Sequence, residues 1–441
     1  MCLHITIEIC TSNKNQTEIP IDDLYDGIKV LVRYIITKNK GRENMKKTTT
    51  KDWEIKTLEE VCEFISRGIS PKYTESQGLV VVNQKCIRNH VVNLELTRLH
   101  DNNLKAVSSE KFIKNGDVLI NSTGTGTLGR VAQVTEDIKA TVDSHVTIVR
   151  PNTEIFDKRF FAWVLFSLEK EIEESGAGAS GQTELSRDTV RNFIVSYPKD
   201  KKEQKRIVKI LDEKFGVIEE LRNITKQQMA DSKELFESRL SDVILSNDSV
   251  DWMTVPIGEV ADLKQGLAIN AKTDYLIDPN GSLPLLRIKD LKHKTEEIFI
   301  DASKASKEVH VYPEDIIYSR TGQVGLVFKG FKGILHNNSF KVNPVKDVSR
   351  DYLFWYLQSK IFFDQVTHFA KRAAQPDISH KSFKTILFSY PKSIARQNKI
   401  AKELDQLSVK TKELETIFHQ KIADLEELKK SYLADAFAGK L

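Results

Sequence analysis

One pattern runs through this chain twice, and any fold it adopts must accommodate both copies. WEIKTLEEVCEFISRG (Trp53–Gly68) is matched by WMTVPIGEVADLKQG (Trp252–Gly266), and GDVLINSTG (Gly116–Gly124) by EDIIYSRTG (Glu314–Gly322). Further on, Trp163 is matched by Trp355, Gln182-Thr-Glu-Leu-Ser186 by Gln375-Pro-Asp-Ile-Ser379, and Tyr197-Pro198 by Tyr390-Pro391. A period of about 200 residues is too long for a solenoid, whose units run to roughly 20–50 residues. It describes a duplicated domain followed by a duplicated helix.

The helices are the runs Lys201–Leu245 and Ser393–Phe437. Apolar residues fall at Ile207, Ile210, Leu211, Phe215, Ile218, Leu221 and Ile224 in the first, and at Ile400, Leu404, Leu407, Leu414, Phe418, Ile422, Leu425 and Leu428 in the second. Steps of three and four place them on one stripe, with charge on the other faces. Each run predicts one helix of about 45 residues, ~60 Å long, paired with its fellow as a spacer. The competing arrangement is two helix hairpins in a bundle, with Gly216 interrupting the first run. Leu235–Leu245 and Leu428–Leu441 carry more apolar residues than a helix pair buries, which leaves surface for another subunit.

Ahead of each helix the chain reads as mixed α and β. Branched and aromatic residues between Gly and Asn clusters predict strands at Leu79–Val82, Val118–Ile120, Val131–Val134 and Val146–Val149, and at Leu285–Ile288, Ile316–Tyr318, Gly325–Phe328 and Phe340–Val342. A helix surrounds each Trp (Arg159–Ile172, Tyr352–Val366). A polar loop follows (Gly176–Gly181, Ala370–Gln375), and then a strand ends at Tyr-Pro, where Pro serves as a hinge before the long helix.

With 441 residues there is room for two to four domains. At 40% hydrophobic and 29% charged, the chain is expected to be folded, soluble and cytoplasmic, and a net charge of +4 neither requires nor excludes a nucleic-acid partner. No apolar run approaches the ~18 residues of a membrane span, and MCLHITIEIC lacks the basic start and long apolar stretch of a signal peptide. Cys2, Cys10, Cys62 and Cys86 show no CxxC spacing, so reduced thiols are expected. Residues 1–44 match nothing later. Met45 is expected to be the natural start, or residues 1–44 to form an appendage without assigned role.

No catalytic set is visible. Gly124-Thr-Gly126-Thr-Leu-Gly129 is a literal GxGxxG, but Arg130–Val134 after it reads as a strand, whereas a dinucleotide site needs a helix there. The glycines therefore predict a hairpin turn, or a loop small enough to approach DNA closely. The chain has no GKS/GKT phosphate loop, no NPPY/DPPY, no HExxH and no GxSxG, and its histidines are scattered, which argues against metal binding.

The ordered motifs resemble the specificity (S) subunit of type I restriction-modification systems. The likeness is carried by the W-x₄-L/I-x₂-V opening, the GD(V/I)L-x₃-TG segment, Tyr-Pro followed by a helix with Q-x-x-I-x-x-x-L-D, and the terminal SYLADAFAGKL, and it covers Trp53 to Leu441. The resemblance implies an α+β chain with two duplicated mixed α/β target recognition domains, at 45–198 and 249–391. Long helices at 199–248 and 392–441 would pack as an antiparallel coiled coil in a pseudo-twofold arrangement, and their length would set the unread spacer. It implies a bipartite duplex DNA target, two methyltransferase (M) and two restriction/translocase (R) subunits as partners, and no catalytic group or cofactor in this chain. S-adenosylmethionine, ATP and Mg2+ would belong to the partners. The alternative is a single-chain restriction-modification enzyme with an unrecognised catalytic core.

DNA readout needs Arg, Lys, Asn and Gln on loops, with phosphate contacts outnumbering base contacts. The candidates in the first copy are Gln84, Lys85, Arg88, Asn89, Ser122, Thr123 and Arg130. In the second they are Arg287, Lys289, Lys292, Arg320, Thr321, Gln323, Asn337 and Asn338, with Lys371 and Arg372 in a further basic loop. Arg320 stands where the first copy has Ser122, as expected if a contact residue changes on a constant framework.

Overall fold

The computed structural model describes residues 53–176, 184–245, 251–345, 347–370 and 376–441. Residues 1–44 and the candidate loop residues Lys371 and Arg372 lie outside them. The described residues form two compact units, one running to Ile218 and including Glu427–Leu441, the other Glu219–Glu426.

In the first unit, β1 (Trp53–Thr57) passes through a one-turn helix, α1 (Leu58–Val61), into β2 (Cys62–Arg67). Strands β3 (Tyr73–Thr74) and β4 (Leu79–Val82) precede a hairpin, β5 (Ile87–Arg88) and β6 (His90–Val92), and then β7 (Arg98–His100). Next come β8 (Val118–Asn121), β9 (Val131–Gln133), β10 (Ala140–Val142) and β11 (Val146–Pro151). Helices α2 (Lys158–Ser167), α3 (Glu169–Glu174) and α4 (Arg187–Arg191) and strand β12 (Ile194–Pro198) lead to the long helix α5 (Lys201–Leu245). A six-stranded sheet runs β2-β11-β8-β9-β6-β5, a four-stranded sheet β10-β4-β7-β3, and β1 pairs with β12. β8 and β11 are buried along their whole length, which is why they read as unbroken runs of branched residues. Phe160, Phe161, Trp163, Leu165 and Tyr197 fill the core against them.

The second unit repeats the plan. It comprises β13 (Trp252–Pro256), α6 (Ile257–Val260), β14 (Ala261–Gln265), β15 (Leu283–Leu286), α7 (Ile288–His293), β16 (Phe299–Ile300) and β17 (His310–Val311). It continues through β18 (Ile317–Ser319), β19 (Val327–Phe328), β20 (Gly333–Leu335), β21 (Ser339–Pro344), α8 (Arg350–Gln358), α9 (Lys360–Ala370), α10 (His380–Lys384) and β22 (Leu387–Pro391) to the long helix α11 (Ile394–Phe437), whose last turns, from Glu427, belong to the first unit. Its sheets run β14-β21-β18-β19, β16-β15-β20-β17 and β13-β22.

Two expectations need correction. The strand expected over Leu285–Ile288 ends at Leu286, because Asp290 accepts the Arg287 N–H (3.1 Å) and starts a helix there. The single helices expected around the Trp residues are each two. In the second unit the break falls at Ser359, whose Oγ takes the Phe362 N–H (3.3 Å) and caps a new helix.

Both long helices are continuous, and Gly216 lies inside α5 without interrupting it. This excludes the two-hairpin arrangement. The start of α5 and the end of α11 lie together in the first unit, where Phe215 and Ile207 share a core with Tyr432 and Ala436. The end of α5 and the start of α11 lie together in the second, where Leu240 and Ile244 meet Ile400 and Leu404. This is the expected antiparallel order. Buried positions follow a seven-residue spacing, Leu211, Ile218 and Thr225, so Thr225 is buried and Ile224 is 43% exposed. Leu428 is likewise exposed, at 40%. Most of the apolar excess near Leu240 and Leu433 is covered by the chain's own domain cores, so it leaves less free surface than expected.

Each long helix is tied to its domain at two matched points. Gln204 and Gln397 are fully buried and bond to backbone groups around Pro198 and Pro391. Two turns later, Trp163 Nε1 donates to Asp212 Oδ1 and Trp355 Nε1 to Asp405 Oδ1, both at 3.0 Å. Gly216 sits in open space on α5. Gly216→Ala is therefore expected to stabilise the protein by about 0.5–1 kcal/mol, read as a raised denaturant midpoint. A lowered midpoint would show that a neighbour needs the missing Cβ.

Candidate nucleic-acid interface

In the first unit the candidate residues gather where β4, β8 and β10 end. Asn83 Oδ1 accepts the Lys85 N–H (2.9 Å) and shapes one helical turn at Gln84–Cys86. Asn121, fully buried, donates to the Gln84 carbonyl (3.1 Å), so the Gln84–Lys85 turn is held against the end of β8. Gly124 has φ +101° and the Gln84 side chain lies over it, within 3.0 Å of where a Cβ would stand. The strand β9 follows the glycines, so they form a turn between β8 and β9, as the hairpin reading expects. Arg130 folds back onto that turn and donates to the Gly126 carbonyl (2.6 Å).

Ser122 does not reach the surface. It is fully buried just past the end of β8, where its hydroxyl bonds Thr147 Oγ1 at 2.5 Å and its N–H donates to the His145 carbonyl (2.8 Å). Thr123 bonds His145 Nδ1 (2.7 Å) and bridges to Glu184. Lys85, Arg88 and Asn89 are exposed, and no acidic side chain pairs with either base among the described residues.

The second unit uses its bases differently. Arg287 is forked onto Asp290 (2.6 Å) and also reaches Glu297 (2.9 Å), which Lys289 joins. Arg320 pairs with Asp377 (2.9 Å) and donates to the Ile378 carbonyl (3.2 Å), while Thr321 Oγ1 donates to Asp377 Oδ1 (2.6 Å). The expected meaning of Arg320 is thereby corrected. In the first unit Arg67 performs the same task, pairing with Glu184 and donating to the Leu185 carbonyl. Glu184 and Asp377 occupy matched places, and the arginine clamping them comes from β2 in one copy and from the end of β18 in the other. The exchange from Ser122 to Arg320 is compensated at Arg67, which only contacts in space reveal.

What remains outward in the second unit is Lys292, His293 and Lys294, with Lys292 Nζ donating to Gln323 Oε1 (3.1 Å). Asn337 and Asn338 are half-buried in the turn beside them, where the Asn338 carbonyl accepts the Arg320 N–H (2.8 Å). Burial, with Arg287 next, holds His336 below its ordinary 6.5, so it is neutral at pH 7. Both units thus bring Lys, Arg, Asn and Gln to one group of turns, but fewer nominated bases are free to meet a ligand than the sequence suggested.

The acid cluster under α7 has a pH signature. Burial alone would raise the Asp290 carboxyl, but bonds from Arg287 outweigh it and hold it below its ordinary 3.8. Lys289, then Arg287, hold Glu297 below 4.5. Carboxyls depressed in the folded state stabilise it above the unfolded value and lose that contribution as pH falls through the folded one. We expect amide exchange at 287–297, corrected for intrinsic rate, to accelerate below pH ~4 before the rest of the unit does. Unchanged protection would place the support of α7 elsewhere.

Among the described residues, no group of three or more His, Cys, Asp or Glu side chains could hold a metal ion, and no helix is long and apolar enough to cross a membrane. A cleft of about 560 Å³ lies at the opposite end of β8 and β11, lined by Lys114, Lys139, Lys158 and the buried Arg150–Asp117 pair.

The family model described as Type I restriction modification DNA specificity domain matches residues 50–228 and again 249–427. The type I restriction enzyme StySPI specificity subunit of Salmonella potsdam is 24% identical over 203 residues, which is 43% of this chain and 43% of that protein. The match therefore spans less than half of that curated relative. A chain from a structural study of complex assembly and conformational transition of the type I R-M system superposes with TM-score 0.73 at 20% identity, covering 90% of this chain and 100% of that one. The HsdS subunit from Thermoanaerobacter tengcongensis gives TM-score 0.55 at 20% identity, over 89% and 98%. These structural likenesses show the fold. Because one family model accounts for both copies and for most of the chain, the protein belongs to the type I restriction-modification DNA specificity family.

Proposed function

We propose that this chain reads a bipartite duplex DNA site, one half with each unit, and presents it to methyltransferase and restriction subunits. Residues 45–198 and 249–391 are the two target recognition domains, and the helices between and after them set the unread spacer. The observation that carries this reading is the duplicated group of turns, each bringing amide and basic side chains to the same end of a rigid sheet. Such groups suit base edges and phosphates together. The chain is not an enzyme in this reading. S-adenosylmethionine, ATP and Mg2+ act on the partner subunits, and the assembly works in the cytoplasm.

The test is to delete one helical turn from both α5 and α11 and map methylated bases in host DNA. A split motif is expected in the wild type, with its gap changed or methylation abolished in the variant. A motif without a gap, or a gap indifferent to helix length, would count against the proposal.

A further inference from the structure

The first unit carries an element with no counterpart at the matched place among the described residues of the second. The hairpin β5–β6 turns through two residues, Asn89 (φ 52°) and His90 (φ 63°), both left-handed. Such a type I′ turn is best made by Asn-Gly, and a side chain at the second position strains it. The His90 ring has a use that glycine could not serve. It stacks on Phe166 with centroids 4.0 Å apart and planes 7° apart, and its Nε2 lies 3.0 Å from Glu169 Oε2. The other oxygen of Glu169 accepts the Val131 N–H (3.1 Å), so one carboxylate joins the hairpin to β9. Phe166 packs edge-on to Trp163 (5.4 Å) and Trp163 to Phe215 of α5 (4.5 Å). Contact is therefore unbroken from the hairpin tip to the long helix, within one unit. On the outer side, Arg88 and Asn89 are exposed.

A two-stranded ribbon fits the major groove, where Arg can bind guanine and Asn adenine in bidentate fashion. Such bonds need the tip held rigidly. We propose that His90 is a positioning residue for sequence readout. It latches the Arg88–Asn89 tip to α5, so that the first unit reads its half-site with a hairpin while the second reads without one, through Lys292 and Gln323. This rests on the DNA reading proposed above.

The test maps genomic methylation in hosts carrying the full chain with H90G, R88A or K292A. H90G restores the preferred Asn-Gly turn and removes only the ring, so folding should survive. Discrimination at one half of the split motif is expected to fall ten-fold or more in H90G and in R88A, with the other half untouched. K292A is expected to relax that other half and to leave the hairpin's half intact. An unchanged motif in H90G, both halves relaxing together, or loss of all methylation with the hairpin variant still folded would overturn the latch. The last outcome would mark the hairpin as a subunit contact. No split motif in the wild type would instead refute the DNA reading, and the latch with it.

Discussion

Exchanging Gln204 for leucine is expected to lower the unfolding free energy by about 3 kcal/mol, although the volume hardly changes. Gln204 is fully buried at the start of α5. Its Oε1 accepts the Asp157 N–H (2.7 Å), and its Nε2 donates to the carbonyls of Ile155 (3.0 Å) and Pro198 (2.9 Å). Leucine would leave three groups without that partner, one buried and two half-buried, at ~1–3 kcal/mol each, toward the lower end for carbonyls and half-buried groups. Gln397→Leu should behave alike, since Gln397 serves Ser349 N–H and the carbonyls of Asp347 and Pro391. A urea series on each variant checks this. A loss below 1 kcal/mol would mean that water substitutes for the amide. If the proposed function holds, the same variants should blur the preferred gap between half-sites, because they loosen each reader on its helix.

Gly68→Ala is expected to be as severe for a different reason. A Cβ at Gly68 would stand 1.9 Å from the Val142 carbonyl oxygen and 2.3 Å from that of Asp143. At Gly266 it would stand 2.3 Å from the His336 carbonyl oxygen. These obstacles are backbone atoms and cannot rotate away. Overpacking of this kind costs about 3 kcal/mol or more, which for units of this size lowers Tm by roughly 6–12 °C. A near-normal Tm in either variant would contradict the close strand crossing. The segments pushed aside carry His145 in one unit and Asn337–Asn338 in the other, so, if the proposed function holds, a folded Gly68→Ala protein should lose readout at one half-site only.

The clamp residues show where reading the sequence alone stops. Arg320 is a candidate contact residue in the sequence because it is a base on a loop, where the first copy has Ser122. Its acidic partner, Asp377, is more than fifty positions away in the chain and is brought close only by the crossing of β18 with the segment after α9. Ser122 is a candidate by its place in the same segment, and only its bond to Thr147, 25 positions away, shows that it faces inward. Ile224 and Leu428 fitted a stripe of threes and fours, yet the helices follow a seven-residue seam that admits Thr225 instead. Local spacing allows both periods, and packing against a second helix chooses between them.

The sequence by itself determined the duplication, the two long helices, the strands of each core and the family. Each of these rests on residue type at short separation, where backbone preference and side-chain periodicity act locally. Tertiary structure decided which bases remain outward, which arginine clamps the matched acid, and that one unit ends in a latched hairpin while the other ends in a short helix. Those outcomes depend on partners far apart in the chain, whose meeting costs loop-closure entropy and is repaid only once the core has formed.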